Sequence, residues 1–258
     1  MISSRNADAG LAPARIKGPN PVAILAKVIL LVVQGLLIVA GFLWLSPAKG
    51  FMNPGLARIV VFHVPCSIVA SIASTVATVY AILYLVKRSP SLDIKSRVAF
   101  ALGLLFWILT TVTGAIFAKV QWGAYWNWDI KQTSILMLLL INIAYFALRS
   151  SIENPNKQAA IAAAYAIFAM LAVPTLTYIL PNSTPDTLHP KGVITTKEGL
   201  DAHYKIVLWS GVLTLTAVFV WALRIQTRLE ELALRVRASK STARGARVVI
   251  TDLGDVRQ

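Results

Sequence analysis

The chain has 258 residues, of which 57% are hydrophobic and only 14% are charged, and its 25 basic and 11 acidic residues give a net charge of +14. Soluble domains carry about 25% charged residues, and helices that are apolar on every side need lipid or a very large core around them. The composition therefore excludes a disordered chain, a disulfide scaffold and a water-soluble enzyme, and it predicts an all-α, polytopic membrane protein.

Six apolar segments are each long enough to cross a bilayer, which requires about 20 residues in a helix. In chain order, the predicted spans are 22–45, 58–86, 98–118, 130–148, 159–180 and 205–223. Pro174 in the fifth span predicts a kink. Together the spans form a membrane domain over 22–223, between an N-terminal tail over 1–21 and a basic C-terminal tail over 224–258.

The basic residues are distributed unevenly between the two sides of these spans. An even number of spans puts both termini on one side, and 18 of the 25 Lys and Arg residues fall on that side. Because Lys and Arg accumulate in cytoplasmic segments, both termini are predicted to be cytoplasmic. This asymmetry explains most of the net charge without a nucleic-acid partner. The tail over 224–240 is predicted to be a basic amphipathic helix on anionic lipid headgroups, with a partner-protein site as the alternative.

A tryptophan-rich loop on the outer side precedes the fourth span. Within eight positions it holds Trp122, Gly123, Tyr125, Trp126, Trp128 and Asp129. An aromatic belt at the headgroups needs only scattered rings. The density of this loop favours, as the other interpretation, a surface that holds a flat apolar ligand by stacking.

Two histidines lie on the same outer side and flank this loop. His63 is near the outer start of the second span, and His189 is in the loop before the sixth. Neutral imidazole is a common axial ligand of haem iron, so the pattern indicates a planar macrocycle with iron at its centre. Taken singly, each histidine is more typical of an ordinary hydrogen-bonding residue. His203 is predicted to be interfacial, and Cys66, the single cysteine, a small buried residue.

Three motifs in this order resemble one known family. The segment W-G-A-Y-W-N-W-D-I-K-Q-T-S at 122–134 resembles the tryptophan-rich WWD signature of the haem-handling membrane proteins of cytochrome c biogenesis. F-H-V-P at 62–65 and T-L-H at 187–189 resemble the two histidine motifs that flank it in the CcmC branch. The resemblance runs from about residue 22 to 223. The length and the six spans also resemble CcmC, since the CcmF branch is longer and the CcsA/ResC branch usually has more spans.

The resemblance implies a protein of the bacterial inner membrane that binds haem b non-covalently at its outer face. His63 and His189 would be the axial ligands. The platform for the ring would be formed by Trp122, Gly123, Trp126, Trp128 and Asp129, with Tyr125 among them. Arg58, Lys119 or Lys131 would pair with the haem propionates.

The family's known role also implies the partners of the chain. A member of this family would pass haem to the haem chaperone CcmE. It would work beside the ATP-hydrolysing CcmA/CcmB subunits and the small CcmD. No phosphate-binding loop, G-x-S-x-G or H-E-x-x-H motif is present, so the chain is not predicted to be an enzyme. The alternatives are a CcsA/ResC-like haem lyase and a permease, and the latter needs a polar path that the uncharged third span does not offer.

Overall fold

The computed structural model describes residues 20–189, 192–194 and 200–255, with the side chains of residues 238 and 241–255 left out. The regular secondary structure of these residues is helical. The helices are α1 (Pro21–Leu43), α2 (Val60–Lys87), α3 (Pro90–Trp122), α4 (Ile130–Ser150), α5 (Pro155–Pro174), α6 (Leu180–Ser183) and α7 (Ala202–Asp255). A 3-10 helix, Pro54–Ile59, leads into α2, and a π-helical turn, Thr175–Ile179, joins α5 to α6. Six helical segments are long and apolar enough to cross a membrane, which confirms the predicted all-α, six-span fold.

Several helices extend beyond the predicted spans, because apolar composition marks the part in hydrocarbon whereas the helix continues until a residue favours another conformation. Helix α3 begins with Pro90 in its first turn and ends at Gly123, which has a φ of +82°. Helix α7 continues to Asp255 through the charged tail. At the predicted kink, the hydrogen bonding changes from α to π directly after Pro174.

Helix α2 lies at the centre of the bundle and packs against α3, α5 and α7. Its packing face is a row of small residues with no solvent exposure: Ala70, Ala73, Ala77 and Ala81. Small residues let helix backbones approach closely in lipid, where packing and interhelical hydrogen bonds drive association. One such bond joins the Ser96 hydroxyl of α3 to the carbonyl oxygen of Ala77, at 2.9 Å.

The first and last spans show which ends of the bundle belong together. Lys27, near the start of α1, lies 5.3 Å from the ring of Trp221, which is close to the end of the predicted sixth span (205–223) within α7. The two termini therefore leave the bundle at the same end, called here the terminal end. An ion pair at that end joins the two terminal guanidinium nitrogens of Arg149, Nη1 and Nη2, to the Asp93 carboxylate, at 2.7 and 2.9 Å.

The long connections gather at the opposite end, called here the loop end. It comprises the segments 44–53 and 123–129 and the described part of 184–201. Gln121 makes two hydrogen bonds of 2.9 Å with the backbone of Asn53. The Tyr204 hydroxyl donates to the carbonyl oxygen of Ser46 at 3.0 Å. These contacts tie the first long loop to α3 and α7, so the loop end has a defined structure.

Candidate ligand-binding site

A cavity of about 330 Å³ opens at the loop end, within the range of about 300–1,000 Å³ typical of ligand pockets. Helices α2, α3 and α4, the π-helical turn and the last loop all contribute to its walls. About half of the lining side chains are apolar. The polar and aromatic groups that line it include His63, Ser67, Thr110, Thr111, Trp126, Lys131, Gln132, Tyr178, Asn182 and His189. The structure therefore brings two histidines, distant in sequence, to one cavity.

His63 is held in place by a hydrogen bond to α3. Its Nδ1 lies 3.1 Å from the hydroxyl oxygen of Thr113, and that hydroxyl lies 2.7 Å from the carbonyl oxygen of Leu109. The Thr113 hydroxyl has one hydrogen, which it donates to Leu109, so it accepts from His63. Nδ1 of His63 then carries the proton, and Nε2 holds the lone pair that a metal would use.

The His63 ring packs directly against the backbone of Gly114. A Cβ atom at that position would lie 2.8 Å from Cε1 of the ring, closer than van der Waals contact permits. Glycine is required here by the close approach, since any side chain would displace the imidazole.

His189 is held by Asp129, the N-cap residue of α4. One carboxylate oxygen of Asp129 accepts from Nδ1 of His189 at 2.7 Å and from the backbone N–H of Lys131 at 2.9 Å. The other accepts from the Thr187 hydroxyl and from the backbone N–H of Leu188, both at 2.8 Å. A carboxylate on one ring nitrogen is the usual way in which proteins orient a metal-binding histidine, because it leaves the other nitrogen available.

The environment of Asp129 keeps it ionised. Burial would raise the pKa of this carboxyl, but the hydrogen bonds from His189, Leu188 and Thr187 outweigh burial and hold the pKa below its usual range. Asp129 therefore acts only as an acceptor toward the loop that carries His189.

Trp122 packs against the His189 ring on the side away from the cavity. Its ring centre lies 4.8 Å from that of His189 at 66°, and 5.4 Å from that of Phe117 at 87°. These edge-to-face contacts are favourable for aromatic rings. Gly123 follows in a left-handed conformation and turns the chain out of α3. Trp122 thus buttresses the imidazole and does not itself line the cavity.

The other aromatic residues of the loop point in different directions. Trp126 lines the cavity, whereas Trp128 and Tyr125 are 73% and 60% exposed. The rings of Trp126 and Trp128 are 5.9 Å apart and almost perpendicular, at 88°. The rings described here therefore form one wall facing the cavity and a second surface facing outward, instead of one flat platform.

The predicted cationic partners and His203 occupy different places. Lys131 lines the cavity. Arg58 donates to the carbonyl oxygen of Phe42 at 2.7 Å, and Lys119 donates to that of Gly123 at 2.9 Å. His203 packs on Trp44, with ring centres 4.6 Å apart, and lies outside the cavity lining.

Four contributors to the site were missed by sequence reasoning: Thr113, Gly114, Gln132 and Thr187. Gln132 fixes the tryptophan-rich loop, since its side chain accepts from the backbone N–H of Asn127 at 2.8 Å and donates to the carbonyl oxygen of Tyr125 at 3.2 Å. Thr187 stands two positions before His189 in the T-L-H motif, which could have indicated its role. Thr113 and Gly114 carry no local signal, because their partner lies 50 positions away from Thr113 in the sequence.

Comparison with known proteins gives one consistent result. Residues 16–243 match the family model described as "Heme exporter protein C". A protein of that name from Bradyrhizobium diazoefficiens is 28% identical over 183 residues, 70% of this chain and 69% of the relative. Another, from Rhodobacter capsulatus, is 26% identical over 231 residues, 86% and 91% of the two chains. A "putative cytochrome c biosynthesis ccmC-like mitochondrial protein" of Marchantia polymorpha is 31% identical over 99 residues, 38% and 43%.

Proposed function

The chain belongs to the heme exporter protein C family, and from this membership we propose that it holds haem b at the loop end and delivers it to the haem chaperone CcmE during cytochrome c maturation. Family membership supports the broader part of this proposal, a role in handling haem for cytochrome c maturation. The names of the relatives describe exporter components, which supports transport over an enzymatic reaction.

One observation carries the finer proposal: His63 and His189, on separate elements, line one cavity, and each has its Nδ1 engaged. The two Nε2 atoms are then the nitrogens available as axial ligands, and bis-imidazole ligation is a common way to hold haem iron. Bound haem would bring an iron that accepts two axial nitrogens. The chain's own residues orient the imidazoles.

The aromatic residues of the loop have different proposed roles in holding haem. Trp126 would face the porphyrin from the cavity wall, and Trp122 would keep the His189 ring upright. The cavity volume of about 330 Å³ is at the lower end of the range for ligand pockets. Part of a macrocycle would therefore extend outward, where exposed Tyr125 and Trp128 would cover it and a chaperone could reach it. Lys131, which lines the cavity, would pair with a propionate.

The bacterial relatives support a location, and the distribution of charge supports an orientation. We propose that the chain lies in the bacterial inner membrane, with the loop end on the outer side, because basic residues are concentrated at the terminal end. The proposed protein partners besides CcmE are the CcmA/CcmB subunits and CcmD.

Transfer of haem tests this function directly. Protein purified in detergent and loaded with haem is mixed with apo-CcmE, and the two are separated and assayed for haem. We expect haem to leave the loaded protein and appear on CcmE. In a separate extraction of the loaded protein, acid acetone should remove the haem, because no thioether bond holds it. A preparation that stays colourless with excess haem would contradict haem binding. Haem that bypasses CcmE and becomes bonded to apocytochrome would indicate a lyase instead.

A further inference from the structure

A second cavity lies at the terminal end, between the α2–α3 hairpin and α7, with a volume of about 840 Å³. It lies where α7 passes from its apolar span into the charged tail. Residues Val220, Arg224, Thr227, Arg228 and Glu231 line it, and their spacing of three or four places them along one face of α7. This cavity, called here the terminal groove, is at the opposite end of the bundle from the histidines.

The terminal groove has one apolar wall and one cationic wall. Val76, Tyr80, Ile94, Phe219 and Val220 form the apolar part, toward the membrane interior. Four basic residues, Lys95, Arg224, Arg228 and Arg235, line the part toward the aqueous side. Such a wall arrangement matches an amphiphile with a negative head and an apolar tail.

One carboxylate, that of Glu231, also lines the groove. Its Oε1 accepts a hydrogen bond from the hydroxyl of Ser91, which holds it against the first turn of α3. The lining side chains described here therefore carry four positive charges and one negative charge. The surplus positive charge selects an anion.

One buried hydroxyl in the groove, that of Thr227, indicates where a ligand would bind. Thr227 is only 6% exposed, and among the described residues its Oγ1 has no hydrogen-bond partner. Other helical threonines of this chain, such as Thr78, Thr110 and Thr216, donate to the carbonyl oxygen four residues earlier. A buried hydroxyl without a partner is costly, and proteins rarely retain one unless a ligand or water completes it.

We propose that the terminal groove binds one anionic phospholipid of the leaflet on the side of the termini. The phosphate accepts from the Thr227 hydroxyl and pairs with Arg224 and Arg228, and an acyl chain lies along Tyr80 and Phe219. Basic pockets between spanning helices are known sites for anionic lipid headgroups. A soluble phosphate would use the cationic wall but would leave the apolar wall uncovered. The inference is independent of haem and goes beyond the proposed function.

Lipid titration of the delipidated, haem-free protein in detergent tests this proposal. Native mass spectrometry and thermal unfolding are followed with dioctanoyl phosphatidylglycerol, dioctanoyl phosphatidylcholine and inorganic phosphate as three separate probes. We expect one saturable phosphatidylglycerol site that raises Tm. Equal stabilisation by phosphatidylcholine would overturn the requirement for an anion. Equal stabilisation by phosphate alone would overturn the lipid as the ligand.

Matched variants locate the site. Thr227→Val removes the hydroxyl at constant volume, and Arg228→Gln removes one charge. Each should weaken phosphatidylglycerol binding by about tenfold, the effect of losing one hydrogen bond to a charged group. Thr227→Ser keeps a hydroxyl and should retain binding. Arg237→Gln, on the same helix but outside the groove lining, should change binding less than twofold.

Thr227→Val also provides a readout that does not depend on lipid. Because the wild-type hydroxyl is buried with no partner among the described residues, its replacement by a methyl group should leave the lipid-free Tm unchanged or raise it. A variant that folds with this Tm and still binds phosphatidylglycerol as tightly as wild type would refute the site. If Thr227→Val does not fold, unchanged binding by Arg228→Gln refutes it equally well.

Discussion

The carboxylate of Asp129 lies 2.7 Å from Nδ1 of His189, a residue 60 positions further along the chain. The same carboxylate caps α4 and accepts two more hydrogen bonds from the loop that carries His189. A single side chain therefore fixes both the first turn of a spanning helix and the orientation of a candidate haem ligand.

The first prediction concerns this pair. Asp129→Asn keeps the volume but places a neutral amide beside Nδ1, which can donate to that nitrogen and move the ring proton to Nε2. We expect haem affinity to fall by about 10–100-fold, the usual effect of losing such a supporting group. Haem titration and the midpoint potential of bound haem measure it. Asp186→Asn, exposed in the same loop, is the control; equal effects of the two variants would show that Asp129 has no special role.

The second prediction concerns the two candidate ligands. His63→Ala or His189→Ala should remove one axial bond each, because axial ligands determine the coordination of haem iron. We expect a six-coordinate, low-spin absorption spectrum to become high-spin or open to exchange in each variant, with partial recovery on adding imidazole. His203→Ala should leave the spectrum unchanged, since His203 packs on Trp44 away from the cavity. A spectrum altered by His203→Ala but unaffected by His189→Ala would mean that the wrong loop histidine was chosen.

The third prediction tests the close approach at Gly114. Gly114→Ala would place a Cβ atom 2.8 Å from Cε1 of His63, so the ring must shift. We expect weaker haem binding and a mixed-spin spectrum while the protein still inserts into the membrane. Gly35→Ala is the matched control, because no described atom beyond its own stretch of helix lies within 4 Å of the position its Cβ would take. Normal spectra from both variants would show that the His63 ring position does not matter.

The fourth prediction separates two tryptophans of one loop. Trp126 lines the cavity, so Trp126→Ala should weaken haem binding by up to about tenfold through lost stacking. Trp128 is 73% exposed, so Trp128→Ala should retain haem but slow its transfer to CcmE. Binding titrations and transfer rates measured on both variants distinguish these roles. Loss of membrane protein in step with loss of haem transfer would instead favour simple anchoring.

The fifth prediction concerns orientation in the membrane. A reporter fused near Asn127 should be active outside the cytoplasm, and reporters near Ser91 and Asn154 should be active inside. The reason is the concentration of 18 of 25 basic residues on the side of the termini. The reverse pattern of activity would put the candidate site on the cytoplasmic side.

The six spans could be predicted because each is a long apolar run, and a backbone in lipid has few alternatives to a helix. The ends of α3 and α7 could not, since the charged residues beyond each apolar run mark the edge of the hydrocarbon and not the end of the helix. Counting the spans was enough to predict that His63 and His189 lie on the same side of the membrane. Their hydrogen-bond partners could not be predicted, because the contact of Thr113 with His63 depends on the rotation of α3 against α2, which no local pattern encodes.

The orientation of the aromatic rings could not be predicted from the sequence either. The density of the tryptophan-rich loop indicated a surface for a flat ligand, but the density of rings says nothing about their planes. Gln132 and the left-handed backbone of Trp128, with a φ of +54°, decide which way each ring points. As a result, Trp126 turns inward and Trp128 outward.

Helix α7 connects the two ends of the bundle and continues into the C-terminal tail as one helix. At a rise of 1.5 Å per residue, its 54 residues span about 81 Å as one helix. The first turn of α7 is capped by Asp201, whose carboxylate accepts from the backbone N–H of Tyr204 at 3.0 Å. A force applied to the tail by any bound partner would thus be transmitted along one continuous helix to the loop end, where the first turn of α7 lies.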